Sequence, residues 1–237
     1  DGTSIRSISN KPAYKGTSLN DTIDYIKANN IFDDIWDNDI YVDRLLINML
    51  LILMAKTLDV KTAYGNGYIK NGNSSSLLPS GTMDKKGLFY GRNDFSSGVK
   101  VFGMENYWGN QNRLLTGYLL DGNIQKIKLS KYKIDGSGID EYSLDDSTGY
   151  ISIKNSYISK INGKINKLLF SPFGIFPVET SNSGFDKIEF IASDKDNIPT
   201  VGGCCTSGIS SGIFYNSFIS NNFDWKVGIG LSCKPIF

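Results

Sequence analysis

The side chains of this chain that could perform acid, base or nucleophilic chemistry are carboxylates and thiols, because its 237 residues include no histidine. Histidine has the side-chain pKa closest to neutrality and is the commonest metal ligand in proteins. Its absence excludes Ser-His-Asp and Cys-His activation of a nucleophile, and it excludes iron sites built on two histidines. Catalysis by carboxylates alone stays open.

Acidic residues cluster in three segments, "DDIWDND" (33–39), "IDEYSLDD" (139–146) and "SDKDN" (193–197). Hydrolysis of a glycan needs two carboxyl groups about 5 to 10 Å apart, one of them with a raised pKa. Acids in polar loops are usually solvated, so these clusters indicate surface loops more than a catalytic pair. We therefore predict that the chain is not an enzyme.

Three cysteines leave two alternatives open. Cys204 and Cys205 are adjacent and Cys233 lies near the end, which is too few and too clustered for the disulfide framework of a secreted protein. Neighbouring cysteines rarely bridge each other, so the one disulfide to consider joins Cys233 to Cys204 or Cys205. The alternative is that these cysteines are small buried thiols that fill the core.

Charge and hydropathy exclude two classes of partner. The 25 basic and 24 acidic residues nearly cancel, so we expect no nucleic-acid binding. The most apolar stretch, "LLINMLLILMA" (Leu45 to Ala55), is about half of the roughly 20 residues that a membrane span needs. We predict a buried helix there, with Asp43 as its cap or first-turn acid, and no membrane insertion.

The remaining patterns predict a single α+β domain. Leu19, Ile23 and Ile26 have helical spacing, so we expect a first helix from about Asn20 to Ala28. From Tyr64 onward, short apolar runs alternate with turn residues, and Asp121-Gly122 indicates a hairpin. We predict an extended lead-in over 1–18 and one domain over 19–237, with antiparallel strands or an irregular β excursion over 138–180.

Two segments say more about function than this general pattern of apolar runs and turns. In "VFGMENYWGNQNRLLTGYLL" (Val101 to Leu120), Tyr107 and Trp108 stand beside a Gly-Asn turn, which is typical of rings that seal a core. The alternative function of this segment would place Glu105, Asn106 or Asn110 on a ligand. A Glu at a packed turn more often caps backbone amides, and we expect that role for Glu105.

The second segment is the glycine- and ring-rich ending "TVGGCCTSGISSGIFYNSFISNNFDWKVGIGLSCKPIF" (200–237). Its loop "NSFISNNFDW" (Asn216 to Trp225) mixes aromatic residues with Asn and Ser, as adaptable binding surfaces do. We expect the glycines to allow close strand crossings and several of the rings to face solvent. The segment thus predicts a recognition surface.

At this point the order of motifs resembles a known group of proteins. "VDRLLINMLLILMAKTLD", "GTMDKKGLFYG", "VKVFGMENYWGNQNRLLTGYLL" and the closing "GGCCTSGISSGIFYNSF…WKVGIGLSCKP" resemble phage and prophage tail-associated proteins. Those proteins carry a C-type-lectin-like domain related to the major tropism determinant and to formylglycine-generating enzymes. The resemblance covers roughly Tyr41 to Phe237, and it implies two N-terminal helices followed by short antiparallel strands and long loops.

In that family the terminal segment contacts the ligand, and in members tied to diversity-generating retroelements it is the variable part. Carried over by position, the resemblance implies the following display residues: Thr206, Ser207, Ile209, Ser210, Tyr215, Asn216, Phe218, Asn221, Asn222, Phe223 and Asp224. It implies a scaffold of Gly203, Gly212, Phe214, Trp225, Gly228 and Leu231.

The resemblance implies a receptor-binding or adhesin module of a virion tail, made in the host cytoplasm, that binds a host surface protein or glycan and other tail proteins. We expect a homotrimer, because multivalency raises avidity. The alternatives are a purely structural tail-tip or baseplate component and, with less support, an oxidase of the formylglycine-generating type, whose paired thiols the cysteine spacing does not reproduce. The sugar-coordinating tripeptides of calcium lectins are missing, so we expect no cofactor and no metal, and any Ca²⁺ would be structural, near Asp194 to Asn197.

Overall fold

The computed structural model describes most of both ends of the chain and isolated strands of its middle. The described residues are 8–15, 18–28, 36–70, 72–73, 75–121, 124–127, 143–144, 156–162, 176–181, 187–190, 198–219 and 223–233. Of the strands between 118 and 190, and of 231–233, only the backbone is described.

Both predicted N-terminal helices are present, but a strand, Trp36–Asn38, lies between them, so the predicted order of two helices followed by strands is wrong at this point. Helix α1 spans Leu19–Lys27, and the Ser18 hydroxyl caps it by accepting a hydrogen bond from the Asp21 N–H at 3.0 Å. Helix α2 spans Tyr41–Ala55 with Asp43 in its first turn, so the first-turn acid is confirmed. It ends because Lys56 adopts a left-handed conformation (φ 55°) and its N–H bonds to the Ile52 carbonyl. A one-turn helix α3 follows at Lys61–Tyr64.

Helix α2 is apolar on every side, yet only part of it is buried. Leu45 and Leu51 pack into the interior, while Leu46, Leu50 and Leu53 are exposed. The prediction of a helix over Leu45 to Ala55 is confirmed, but the prediction that all of it is buried is wrong for this outward face. No helix among the described residues is long and apolar enough to cross a membrane.

The strands of the described residues form one large sheet and three small ones. Their bounds are β1 Trp36–Asn38, β2 Lys100–Val101, β3 Met104–Glu105, β4 Asn112–Leu114, β5 Tyr118–Asp121, β6 Ile124–Ile127, β7 Ser143–Leu144, β8 Ser156–Asn162, β9 Phe176–Ser181, β10 Lys187–Phe190, β11 Ile198–Gly202, β12 Gly212–Ile219, β13 Val227–Gly228 and β14 Leu231–Cys233. The large sheet has the order β13-β4-β11-β12-β10-β8-β9, and the small sheets are β1-β14, β2-β3 and β5-β6-β7.

Pairing in the large sheet is mostly antiparallel, with parallel pairs at β10-β12 and β13-β4. The hairpin predicted at Asp121-Gly122 is confirmed, because β5 pairs with β6 with Asp121 opposite Ile124. The predicted β segment over 138–180 contributes β8 and most of β9 to the large sheet, and β10 follows it. The α+β class is therefore confirmed.

The main core lies between α2 and the sheet. Trp108 and Tyr107 are buried in it with apolar side chains from α2, β2 and β12. The Trp108 indole N–H donates to the Gly65 carbonyl at 3.1 Å, and the Tyr107 hydroxyl donates to Asn48 Oδ1 at 2.9 Å. The prediction that these two rings seal the core is confirmed.

The described part of the lead-in lies against the domain. The Asn10 N–H donates to the Ser80 carbonyl at 2.7 Å, and the Ser80 N–H donates to the Lys11 carbonyl at 3.0 Å. Gln111 also donates to the Tyr14 carbonyl. Residues 8–15 thus pack beside the "GTMD" turn, which is residues 81–84.

Candidate functional site

The loop between β11 and β12, residues Gly203–Ser211, is a compact turn closed by its own hydrogen bonds. The Ser207 N–H donates to the Cys204 carbonyl at 2.9 Å, and the Cys204 N–H donates to the Ser207 hydroxyl at 3.1 Å. Gly203 has φ 79°, and a Cβ there would lie 2.3 Å from the Ser211 hydroxyl oxygen, so only glycine fits. The loop is therefore held in one conformation before any partner arrives.

A buried lysine from another element anchors this loop. The Lys61 ammonium donates to the carbonyls of Ile209 and Ser211, at 2.7 and 2.8 Å. The Asn48 side chain of α2 adds a bond to the Ile213 carbonyl at 3.1 Å. These contacts fix the backbone while the Ile209 side chain, 62% exposed, points to solvent.

A second polar loop lies beside the first. The Asn73 carboxamide oxygen accepts the Ser75 N–H at 3.0 Å, so the loop forms an Asx turn. The Gly72 N–H reaches the Cys205 carbonyl at 3.4 Å, and a Cβ on Gly72 would lie 2.8 Å from the Cys205 sulfur. The two loops are thus in direct contact.

A third turn, Phe223–Lys226, completes the surface. The Asp224 carboxylate accepts the Lys226 N–H at 2.8 Å, and the Lys226 carbonyl accepts the Asn112 N–H on β4. The Cys205 N–H of the first loop donates to the Asn110 carbonyl at 3.0 Å, two residues before Asn112, so this turn lies near the first loop. We call the exposed parts of Gly72, Asn73, Ser75 and Ser76, of Thr206–Ile209 and of Phe223–Lys226 the loop face.

The structure brings part of the predicted display set to the loop face. Thr206, Ile209 and Asp224 are exposed there, and Ser207 and Phe223 are partly exposed. Asn221 and Asn222 lie outside the described residues. Asn216 is partly exposed on β12, where its amide donates to the Phe214 carbonyl at 3.0 Å.

Three predicted display residues are not available to a partner. Tyr215, Phe218 and Ser210 are buried, so the expectation that the β12 rings face solvent is wrong. The physical reason is position: β12 lies in the middle of the large sheet, between β11 and β10, and it is buried almost continuously along its length. Such a strand is covered on both faces and has no wet side.

The predicted capping role of Glu105 is confirmed. Its two carboxylate oxygens accept the backbone N–H groups of Gly81 and Met83, at 2.8 and 2.6 Å. Asn110 likewise holds a loop, because its side chain accepts the Leu78 N–H and donates to the Leu78 carbonyl. Both side chains hold loops in place, which gives the alternative of ligand contacts at Glu105 and Asn110 no support.

A cleft of about 670 Å³ lies between the lead-in, the "GTMD" turn and the end of β13. Arg113 lines it, and its guanidinium is bonded to the Asp39 carboxylate at 3.3 Å and to the Glu105 carbonyl. The charged groups at the base of this cleft therefore already have partners within the chain.

Beneath this cleft, two arginines share the Tyr107 ring. The Arg44 guanidinium lies 3.6 Å from the ring centroid, and that of Arg113 lies 5.9 Å away. Burial lowers the pKa of Arg44, while Tyr107 and Asp39 oppose that shift; burial also raises the pKa of Tyr107. Arg44 donates to the Tyr107 carbonyl at 2.9 Å, so this group rigidifies the core.

Cys204 and Cys205 are both free and buried, which confirms the alternative of small buried thiols for this pair. Burial raises the pKa of the Cys205 thiol, and the neighbouring Cys204 acts in the same direction. The thiolate is the reactive form, so Cys205 is poorly suited to nucleophilic or redox chemistry.

We expect iodoacetamide at pH 8 to alkylate Cys205 at least about tenfold more slowly in the folded protein than in urea, because both access and the thiolate fraction are reduced. Since the folded pKa lies above the unfolded value, this thiol contributes stability at neutral pH that is lost as the pH rises through the folded pKa. Peptide mass mapping over a time course measures each cysteine separately. Equal rates in the folded and unfolded protein would contradict the prediction.

Sequence reasoning missed two parts of the site. The loop at Gly72–Ser76 carried a signal, the Asn- and Ser-rich run "NGNSSS" (71–76), but nothing in that run indicated its contact with Cys205. Lys61 carried no signal, because a lysine beside a helix is usually solvated. In the part of the chain that is described, no group of three or more Cys, Asp or Glu side chains is placed to hold a metal ion.

Comparison with known proteins adds no relative to this picture. No protein-family model matches the chain, and no curated protein matches it either.

Proposed function

We propose that this protein is a receptor-binding module of a phage or prophage tail, and that the loop face contacts a host surface protein or glycan. The observation that carries the proposal is the anchored loop, in which Lys61 and internal hydrogen bonds fix the backbone under exposed Thr206 and Ile209. Binding to a preorganised loop avoids much of the entropic cost of ordering it.

The chemistry of the loop face supports recognition more than catalysis. Its exposed and partly exposed side chains are hydroxyls, the Asn73 amide, the aliphatic Ile209 and the rings of Phe223 and Trp225, and its described charges are those of Asp224 and Lys226. Hydroxyls and amides supply adaptable hydrogen bonds, and an exposed Ile beside them supplies an apolar anchor. We propose that the chain acts without cofactor or catalytic residue.

The finer fold and the setting are part of the same proposal. The motif order described above supports a C-type-lectin-like fold, and helices followed by a mixed sheet with long connecting loops are compatible with it. In a virion, several copies would act together, so a weak single contact would be strengthened by avidity. Other tail proteins would hold the module in place.

The test uses the fluorescently labelled chain as the probe, applied to a panel of bacterial strains and to polysaccharide extracted from their envelopes. We expect binding to at least one strain, and we expect the double variant Thr206→Arg, Ile209→Asp to weaken it at least about tenfold, since central contacts of an interface carry roughly 2 kcal/mol or more. Flow cytometry over a concentration series gives the apparent affinity.

The matched control is Leu88→Asp, which changes a residue that is exposed to the same degree but lies outside the loop face. It should bind as the unchanged chain does. Unchanged binding by the double variant, at an unchanged melting temperature, would refute the loop face as the contact. Binding to host polysaccharide alone would identify the partner as a glycan.

A further inference from the structure

The outward face of α2 carries an apolar stripe. Leu46, Leu50, Leu53 and Met54 are 51%, 39%, 68% and 52% exposed. Their spacing of four, three and one residues places them on one side of the helix. This stripe, which we call the α2 stripe, is separate from the loop face.

The α2 stripe contains no charge along its length. Between Arg44, which is buried, and Lys56, every residue of the helix is apolar except Asn48, which is also buried. A helix that is apolar all round is normally covered, and a continuous exposed apolar patch marks an interaction surface. A charge stands at each end: Asp43 in the first turn and the exposed Lys56 at the C-cap.

The arrangement of these residues is complementary to itself. The midpoint of Asp43 and Lys56 along the sequence falls between residues 49 and 50, and the midpoint of Leu46 and Leu53 falls at the same place. In an antiparallel pair of α2 helices, Asp43 of each copy therefore lies at the same level along the helix axis as Lys56 of the other. Leu46 lies opposite Leu53, and the two Leu50 side chains meet near the axis. The helix dipoles are also opposed favourably. A parallel pair would place like charges together.

We infer that the α2 stripe is the interface of a homodimer, in which two copies of this chain pair their α2 helices antiparallel about a twofold axis. An interface with the same patch on both subunits is the commonest kind in soluble oligomers. One helix per copy is a small contact, so we expect a dissociation constant in the range of about 1 to 100 μM. This inference does not depend on the proposed function, and it replaces the homotrimer expected from the sequence with a dimer.

Sedimentation velocity from about 1 to 200 μM protein tests it, because a weak dimer dissociates over that range. We expect the unchanged chain to shift from monomer to dimer, and Leu53→Glu to stay a monomer throughout. Leu53 is the most exposed residue of the stripe, so its replacement should leave the fold intact, which the melting temperature checks. The matched control Leu88→Glu, 64% exposed on another element, should dimerise normally.

Charge exchange tests the antiparallel arrangement itself. Asp43→Lys and Lys56→Asp should each weaken the dimer several-fold, and the double variant should regain most of the loss because the pair is restored with reversed sign. The inference is overturned if the unchanged chain stays monomeric at 200 μM or forms a trimer. It is also overturned if Leu53→Glu dimerises normally, or if the double charge variant is weaker than both single variants.

Discussion

Replacement of Trp108 by alanine is expected to lower the free energy of unfolding by about 3 to 5 kcal/mol, the largest effect we predict for a single side chain. The indole is fully buried in the main core and its N–H bonds to the Gly65 carbonyl. Gly67 packs directly against the ring, where a Cβ would lie 2.9 Å from Cδ1, and a glycine has no side chain that could move into the space. The loss is a large share of the 5 to 15 kcal/mol that typically stabilises a domain.

Urea unfolding followed by circular dichroism measures this effect without relying on tryptophan fluorescence. The melting temperature should fall by roughly 6 to 20 °C. The control is Trp225→Ala, which removes the same side chain from a partly exposed position on the loop face, and its cost should stay below about 1.5 kcal/mol. A loss of less than about 1 kcal/mol in Trp108→Ala would mean that this ring does not organise the core.

Replacement of Lys61 by methionine should lower the unfolding free energy by about 2 kcal/mol and loosen the loop face. Methionine keeps much of the volume but leaves the Ile209 and Ser211 carbonyls without this donor. The Ser211 carbonyl is buried, and leaving a buried carbonyl without a partner costs about 1 to 3 kcal/mol; the partly buried Ile209 carbonyl costs less because water can reach it. Removal of a buried charge recovers part of that loss, which is why we expect the smaller total.

Amide hydrogen exchange locates this effect. The N–H groups of Ser210 and Ser211 close a short 3-10 helix, Gly208–Ser210, by donating to the carbonyls of Ser207 and Gly208. Both should exchange several-fold faster in Lys61→Met, while the N–H groups of α1 should exchange at an unchanged rate. The control Lys85→Met alters an exposed lysine directly after the "GTMD" turn and should match the unchanged chain. Unaltered exchange at Ser210 and Ser211 would show that Lys61 does not preorganise the loop.

The parts of the fold that follow from local patterns could be predicted from the sequence. The spacing of Leu19, Ile23 and Ile26 predicted α1, and Asp121-Gly122 predicted a hairpin, because helix period and turn chemistry act over a few residues. The Tyr107-Trp108 pair was predicted to be core because two large rings beside a tight turn have few other places to pack. The role of Glu105 in capping backbone amides was predicted by the same local reasoning.

What depends on long-range topology could not be predicted. Tyr215 and Phe218 were expected at the surface because their loop-like neighbours are polar, but β12 is central in the sheet and both of its faces are covered. Strand order is set by pairing between distant segments, which a composition pattern does not encode. The same holds for Lys61, whose partners lie about 150 residues further along the chain.

The pairing of β1 with β14, Trp36 opposite Cys233, has a consequence for synthesis. At about 5 to 20 residues per second, roughly 10 to 40 s separate the emergence of Asn38 from that of Leu231 at the ribosome. For most of that interval the apolar helix Tyr41–Ala55 has left the exit tunnel while β12, which supplies Ile213 and Phe214 to its inner side, has not yet been made. Leucines of this helix therefore stay exposed until β12 emerges, which favours the binding of chaperones to the nascent chain.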